Sequence, residues 1–375
     1  MPHLQTTLAH AGTTPDLETG ALVPPIHPAT TYERDIDGTY PKGFTYSRDG
    51  NPTRSQLEKT LATIEGGVSA RAFSSGMAAS HAIFQSIPLG SHVIIPDDVY
   101  HGVRRLVVEQ FQDRGLEMSA VDMNEKDSVE RAIQPNTRLI WVESPSNPLL
   151  KITDLQAVGR LAEKHEILFA VDGTWTTPLL QRPFEFGADY VMHSLTKYLG
   201  GHSDTLGGAV VAREDSAHFR KISEFQNQSG AVLDPFSCWL TLRGIRTLGV
   251  RLSKQCTTAK QVALFLESRP EVDVVHFPGL PSHPSHDVAA RQMDDFGAML
   301  SFEATGGQKQ AMAISAGVNV FTRATSLGGT ESLIEHRASV EGPESKTSTA
   351  LLRVSIGLEH PQDLIADLDA ALTNS

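Results

Sequence analysis

Lys197 closes a segment, residues 188–197, in which an apolar β-rich run ends in two hydroxyl residues and a lysine: Ser194, Thr196 and Lys197. Upstream, residues 167–172 form a second buried-strand pattern that ends in a carboxylate, Asp172. The two predicted strands deliver an amine and an acid to one edge of a sheet. A lysine there can form a Schiff base with an aldehyde, and an aspartate can keep a pyridine nitrogen protonated. Pyridoxal 5'-phosphate needs both. Ser194 and Thr196 add neutral donors suited to a phosphate. Taken alone, the pair is better read as a solvated strand-end lysine and a turn-forming aspartate, so the surrounding elements and motifs decide.

Those elements alternate. From about Ala70, apolar strand patterns at 91–96, 116–122, 137–143, 167–172, 188–193 and 208–212 are separated by helix-like stretches. This alternation predicts an α/β fold with a largely parallel sheet, helices on both faces and ligands gathered at strand ends. Beyond Pro235 a helical stretch leads into strand patterns at 272–275, 298–303, 318–321 and 351–355 and a final helix from Pro361 to Leu372, which predicts a smaller C-terminal α/β domain. The first forty or so residues, rich in proline, threonine and glycine, predict an extended arm. The divisions expected are an arm at 1–48, a cofactor-binding domain at 49–234 and a C-terminal domain at 235–375.

The chain's 375 residues are 40% hydrophobic and 20% charged, enough to bury large cores. A net charge of −12 argues against nucleic acid or an anionic membrane as partner. Neither a membrane-length apolar run nor a basic-then-apolar leader is visible, so a soluble, untargeted, cytoplasmic protein is expected. The two cysteines, Cys238 and Cys256, have no metal-type spacing and suit a reducing compartment.

Ser75-Gly76-Met77-Ala78-Ala79 follows a strand pattern and opens a helix pattern, where free N–H groups and the helix dipole favour an anion. This turn lies among many co-linear motifs: Tyr46-Ser47-Arg48 with Asn51-Pro52-Thr53, Glu143-Ser144-Pro145-Ser146-Asn147-Pro148, Asp172-Gly173-Thr174, His193-Ser194-Leu195-Thr196-Lys197-Tyr198-Leu199-Gly200-Gly201-His202-Ser203-Asp204, Ser326-Leu327-Gly328-Gly329 and Leu352-Arg353-Val354-Ser355. Together they resemble the Cys/Met-metabolism (trans-sulfuration) family of pyridoxal-phosphate enzymes over nearly the whole chain.

The resemblance implies the fold-type I architecture, with a mostly parallel seven-stranded sheet in the large domain. It implies a homo-oligomer, a dimer or a dimer of dimers, acting on a small amino-acid substrate. It also assigns roles. Lys197 is the Schiff-base lysine and proton carrier, and Asp172 the partner of the pyridine nitrogen. Gly76, Met77, Ser194 and Thr196 form the phosphate cup. Tyr46 and Arg48 reach the phosphate of the neighbouring subunit, a task that suits a bidentate guanidinium. Tyr100 stacks on the ring and assists proton transfer. Arg353 binds the substrate α-carboxylate, Asn147 lies beside it, and Ser326 orients the lysine. The implied activity is γ-elimination or γ-replacement on a γ-substituted L-amino acid, of the cystathionine γ-lyase or γ-synthase kind. The alternatives are a γ-lyase for a non-sulfur leaving group such as canavanine, a methionine γ-lyase, a cystathionine β-lyase, or a catalytically weak regulatory relative.

Several residues depart from the family pattern. His101-Gly102-Val103 follows Tyr100 where Gly-Gly-Thr or Gly-Cys-Thr is usual, and Thr325 stands where several cystathionine enzymes carry a glutamate. Glu335-His336-Arg337 through Pro343 replaces a His-Pro-Ala segment, and Gly173 replaces an asparagine, with Trp175 in the same turn. These departures fall in the substrate pocket. The histidines His276, His283 and His286 lie in a Pro/Gly-rich loop that recurs in the family without metal, so no metal is expected.

Overall fold

The computed structural model describes residues 2–125, 127–342 and 346–375. Seven strands, β1 Ser69–Phe73, β2 His92–Pro96, β3 Glu117–Val121, β4 Thr137–Glu143, β5 Leu168–Asp172, β6 Tyr190–Ser194 and β7 Gly208–Ala212, form one sheet in the order β1-β7-β6-β5-β4-β2-β3. Only β7 runs against its neighbours. β2 and β7 are buried along their whole length, and β4 in all but Arg138, because helices cover both faces of the sheet; hence their near-continuous apolar runs. Gly76–Ser86 and Ala217–Ser229 pack on one face, around Phe73, Phe84, Trp141 and Tyr190. Leu155–Lys164 packs on the other, around Ile140, Phe169 and Val171.

All the parallel strands point their C-terminal ends to one edge, where the loops Asp97–Tyr100, Ser144–Asn147, Gly173–Trp175 and Leu195–Lys197 meet the start of the helix Gly76–Ser86. These loops are tied to one another. Asp98 Oδ2 accepts from Ser146 Oγ at 2.6 Å and from Leu149 N at 3.0 Å, which joins the loop after β2 to the loop after β4.

A second sheet, β8 Val272–His276, β9 Met299–Ala304, β10 Thr322–Arg323, β11 Leu333–His336 and β12 Leu351–Ser355, runs in the order β10-β11-β12-β9-β8 and is antiparallel except for β10 with β11. The helices Leu248–Glu267, Gly307–Gly317 and Pro361–Thr373 cover it. The run at 318–321 is not a strand. Asn319, Val320 and Phe321 instead give their N–H groups to the Asp367 carboxylate of the last helix, which leaves only the short β10 beyond them. β11, with four residues, was not anticipated; its apolar signal is only Leu333-Ile334.

The first forty residues are less extended than their composition predicts. Leu4–Ala9 is a helix whose Leu8 is buried in the main core, and from there to Asn51 the only ladder contact among the described residues is a bridge from Thr31 to Tyr46. The Asn51-Pro52-Thr53 motif has a structural cause. Asn51 Oδ1 caps the helix Pro52–Glu65, accepting from Thr53 N at 3.0 Å and Arg54 N at 3.2 Å, and Gly66 ends that helix at φ 83°. Among the described residues no helix is long and apolar enough to cross a membrane.

Candidate active site

A cleft of about 200 Å³ opens at the carboxyl edge of the first sheet and is closed from above by the second. It is lined by Gly76, Met77, Tyr100, Asn147, Asp172, Ser194, Thr196, Lys197, Ser326 and Arg353, ten of the twelve residues singled out in the sequence. Tyr46 and Arg48 are not among its walls. Tyr46 is exposed, and Arg48 donates to Asn227 Oδ1 at 3.0 Å elsewhere on the chain's surface.

Lys197 Nζ donates to Ser326 Oγ at 2.6 Å, and Ser326 adopts φ 94°, a strained value for a residue with a Cβ. Burial, and secondly the Arg353 guanidinium, pull the Lys197 ammonium down to about 8. An amine so placed is readily freed of its proton near neutrality, as both nucleophilic and proton-carrying roles require.

Asp172 ends β5 with its Oδ1 accepting from Thr174 N at 3.0 Å. Burial holds its carboxyl above the usual range, against hydrogen bonds from Thr174 and the nearby His193. No salt bridge joins it to a described residue. A buried acid without a cationic partner, on the wall of a cleft, matches a protonated ring nitrogen in charge. Directly beside it in the β4–β5 register stands Glu143, whose Oε2 accepts from Tyr100 N at 2.8 Å. Burial, and next the Asp172 carboxylate, push Glu143 well above its ordinary value. Glu143 thus sets the backbone of Tyr100. Thr174 does the same for β6, its Oγ1 accepting from Ser194 N at 2.8 Å. Neither role was read from the sequence, although the Asp-x-Thr spacing of an Asx turn was there to be found.

The start of the helix Gly76–Ser86 faces Ser194. Ser75 Oγ caps Ala78 N at 3.1 Å, and a Cβ on Gly76 would stand 3.1 Å from Ser194 Cβ. The Gly76 and Met77 N–H groups have no partner within the helix. A backbone cradle flanked by Ser194 and Thr196 hydroxyls fits a phosphate by both shape and donor chemistry.

Arg353, in β12, is buried and held at three points. Its Nη1 donates to Asn147 Oδ1 at 2.9 Å, its Nη2 to Ser326 O at 3.3 Å, and it pairs with Glu335 of β11. Asn147 is therefore an orienting partner of Arg353. A second buried cation, Arg337, also lines the cleft and donates to Glu335 at 3.1 Å, Glu341 at 2.9 Å and His101 Nδ1 at 2.9 Å. Pro343, the last residue of that departing segment, lies outside the described residues.

Two other departures have steric causes. A Cβ on Gly102 would come within 2.6 Å of Tyr100 Cε1 and 3.0 Å of Met77 Sδ, so any side chain there would displace Tyr100. A Cβ on Gly173 would meet His193 Cε1 at 2.8 Å, in space that this ring already fills. Trp175 is buried and forms part of the cleft wall. The loop histidines have local partners: His276 faces Glu303 at 3.2 Å, His283 Nδ1 accepts from Ser285 N at 3.2 Å, and His286 Nδ1 lies 2.8 Å from Pro278 O.

Residues 5–373 match the family model described as Cys/Met metabolism PLP-dependent enzyme. A cystathionine gamma-synthase of Mycobacterium leprae (strain TN) is 47% identical over 98% of this chain and 96% of its own length. A cystathionine gamma-lyase of Bacillus subtilis (strain 168) is 41% identical, with 99% of each chain covered. The solved structure of metB from Corynebacterium glutamicum superposes with a TM-score of 0.97 at 42% identity, covering 100% of this chain and 98% of that one. A lysine, a buried acid and a helix start flanked by hydroxyls on one cleft, within a sequence matched almost from end to end, place this chain in the Cys/Met metabolism family of pyridoxal-phosphate-dependent enzymes.

Proposed function

We propose that this chain catalyses pyridoxal-phosphate-dependent γ-elimination or γ-replacement on a γ-substituted L-amino acid. The observation that carries the reading is the Lys197 amine, 2.6 Å from Ser326 Oγ, in the same cleft as the unpaired Asp172 carboxyl and the buried Arg353. Lys197 would anchor the cofactor, Asp172 would hold its ring nitrogen, and Gly76, Met77, Ser194 and Thr196 its phosphate. The bound cofactor supplies an electron sink that lets protons leave Cα and Cβ and a substituent leave Cγ. Arg353, aimed by Asn147, binds the α-carboxylate bidentately. Lys197 Nζ, held by Ser326, removes the Cα proton and carries it onward. Tyr100, on the wall of the same cleft, would stack on the ring and assist proton transfer. Elimination and replacement draw on the same residues and differ in whether a nucleophile is admitted at Cγ. Incubating the holoenzyme with a γ-substituted amino acid, with and without a thiol, and identifying the products by mass tests the reading.

The departure at Thr325 favours a substrate other than cystathionine. Thr325 lines the cleft, and a pocket without a glutamate there offers no anion to a distal ammonium at that point. Thr325→Glu should then raise kcat/KM for cystathionine by roughly tenfold, the effect of about 1.4 kcal/mol of regained contact. A wild-type protein that processes cystathionine better than every other γ-substituted amino acid tried would contradict this.

The reading includes a homo-oligomer in the cytoplasm. Arg48 and Tyr46 lie outside their own chain's cleft, and Leu17, Leu22, Val23 and Ile36 are exposed along the same N-terminal stretch, which supports an arm, residues 1–48, that serves a neighbouring copy. Cys238 and Cys256 are buried and unpaired, as a reducing compartment allows. Arg48→Ala should weaken cofactor retention by about 1.5–3 kcal/mol, the range for a charged hydrogen bond. Mixing Arg48→Ala with Lys197→Ala, each nearly inactive, should partly restore activity, since a hybrid dimer assembles one site with both residues intact. Failure to complement after proven subunit exchange would place both residues in one site.

A further inference from the structure

His101 and Arg337 reach the cleft from elements that follow strands of the two different sheets. His101 opens the helix His101–Leu106 directly after Tyr100, and Arg337 opens the helix Arg337–Glu341 directly after β11. Both line the cleft that holds Lys197. Arg337 is 1% exposed and donates through Nη2 to His101 Nδ1 at 2.9 Å. A guanidinium has only donors, so Nδ1 must accept and the imidazole proton must sit on Nε2. The His101 ring is also braced edge-on by Tyr100, with centroids 4.6 Å apart. Among the described residues Nε2 has no partner, so its N–H is free.

Two carboxylates hold Arg337 in place. Glu341 binds its Nε at 2.9 Å and Glu335 its Nη1 at 3.1 Å, and Glu335 is shared with Arg353. The groups acting on His101 are Arg337, Arg105 and Arg353, which oppose its protonation, and Glu341, which favours it. Burial first, and Arg337 next, lower the ring's proton affinity below the ordinary histidine value and so favour the neutral form. A neutral imidazole with its proton fixed on Nε2 is a hydrogen-bond donor of constant direction and a poor source of protons.

We propose that Arg337 is a positioning residue that locks His101 in the Nε2–H tautomer, and that His101 Nε2–H selects Cγ substituents presenting a hydrogen-bond acceptor over substituents that present none. This rests on the reading that a γ-substituted amino acid occupies the cleft. It gives the departures at His101 and Arg337 one joint function.

The test compares two ligands of the holoenzyme, O-acetyl-L-homoserine, whose ester carbonyl can accept, and L-methionine, whose thioether is at best a weak acceptor. Binding is read from the change in the cofactor's visible absorption, and KM and kcat are measured separately. Wild type should bind the ester more tightly. His101→Phe and Arg337→Met should each lower that preference by about tenfold, the loss expected of one hydrogen bond. His101→Gln, whose amide keeps a donor near the Nε2 position, should retain most of it. Because Arg337 acts through His101, the double variant should lose no more preference than His101→Phe alone. Should Arg337→Met fail to fold, as shown by its thermal midpoint, the His101→Phe and His101→Gln pair still decides. Equal weakening of both ligands, no preference in wild type, loss in His101→Gln equal to that in His101→Phe, or additive losses would each overturn the proposal. Absence of turnover at Cγ would instead refute the proposed reaction, and the binding comparison would still decide the role of His101.

Discussion

Lys197→Ala is expected to lower turnover by at least about 10³-fold, because in the proposed reaction one side chain both anchors the cofactor and carries the proton from Cα, and each role alone is worth orders of magnitude. The cleft makes the dual role possible. Ser326 Oγ, 2.6 Å away, holds the amine over the pocket, and burial with Arg353 draws its proton affinity down to about 8. The proposed phosphate cradle at Gly76, Ser194 and Thr196 does not involve Lys197 Nζ, so the variant should still take up cofactor through its phosphate. Steady-state assay together with phosphate-bound cofactor content separates the two functions. A variant that turns over at more than a few per cent of the wild-type rate would remove Lys197 from the chemistry.

Asp172→Asn should keep the pocket's shape and lose about two to three orders of magnitude in kcat, the scale on which a preorganised charge opposite a developing one acts. The amide can still accept from Thr174 N, as Asp172 Oδ1 does at 3.0 Å, so the turn after β5 survives. What it cannot do is carry the negative charge that keeps a ring nitrogen protonated. Glu143, its cross-strand neighbour, has its own carboxyl pushed well above the ordinary range by burial and by Asp172, and its Oε2 is engaged with Tyr100 N at 2.8 Å. It is therefore a poor substitute. A near-normal rate in Asp172→Asn would mean that Glu143 or another group takes over, and Glu143→Gln in the same background would identify it.

The parts of the site legible in the sequence are those at strand ends. Asp172 and Lys197 follow apolar runs long enough to mark β5 and β6, and a parallel sheet brings such ends together whatever the intervening loops do. Arg353, at the centre of the strand pattern at 351–355, was marked only by the family resemblance. The network of Glu335, Arg337 and His101 was not, because Arg337 and His101 are 236 residues apart and meet only when the second sheet docks over the first. The sequence marked all three as departures without relating them. β11 was missed because Glu335 and His336 are polar yet buried, through ion pairing in one case and hydrogen bonds to Ser339 and Thr349 in the other. Side-chain pairing overrides the apolar pattern there. Tyr46 and Arg48 lie outside the site of their own chain, as a contribution to a neighbouring copy would require.

The most direct measurement is product mass from the purified holoenzyme given paired γ- and β-substituted L-amino acids, with and without a thiol. The account predicts that the γ-substituted compounds yield a four-carbon 2-oxo acid with ammonia, or a four-carbon thioether amino acid when the thiol is present, and that both products vanish in Lys197→Ala. Conversion of the β-substituted compounds alone, to a three-carbon 2-oxo acid, or formation of four-carbon products undiminished in Lys197→Ala, would contradict it.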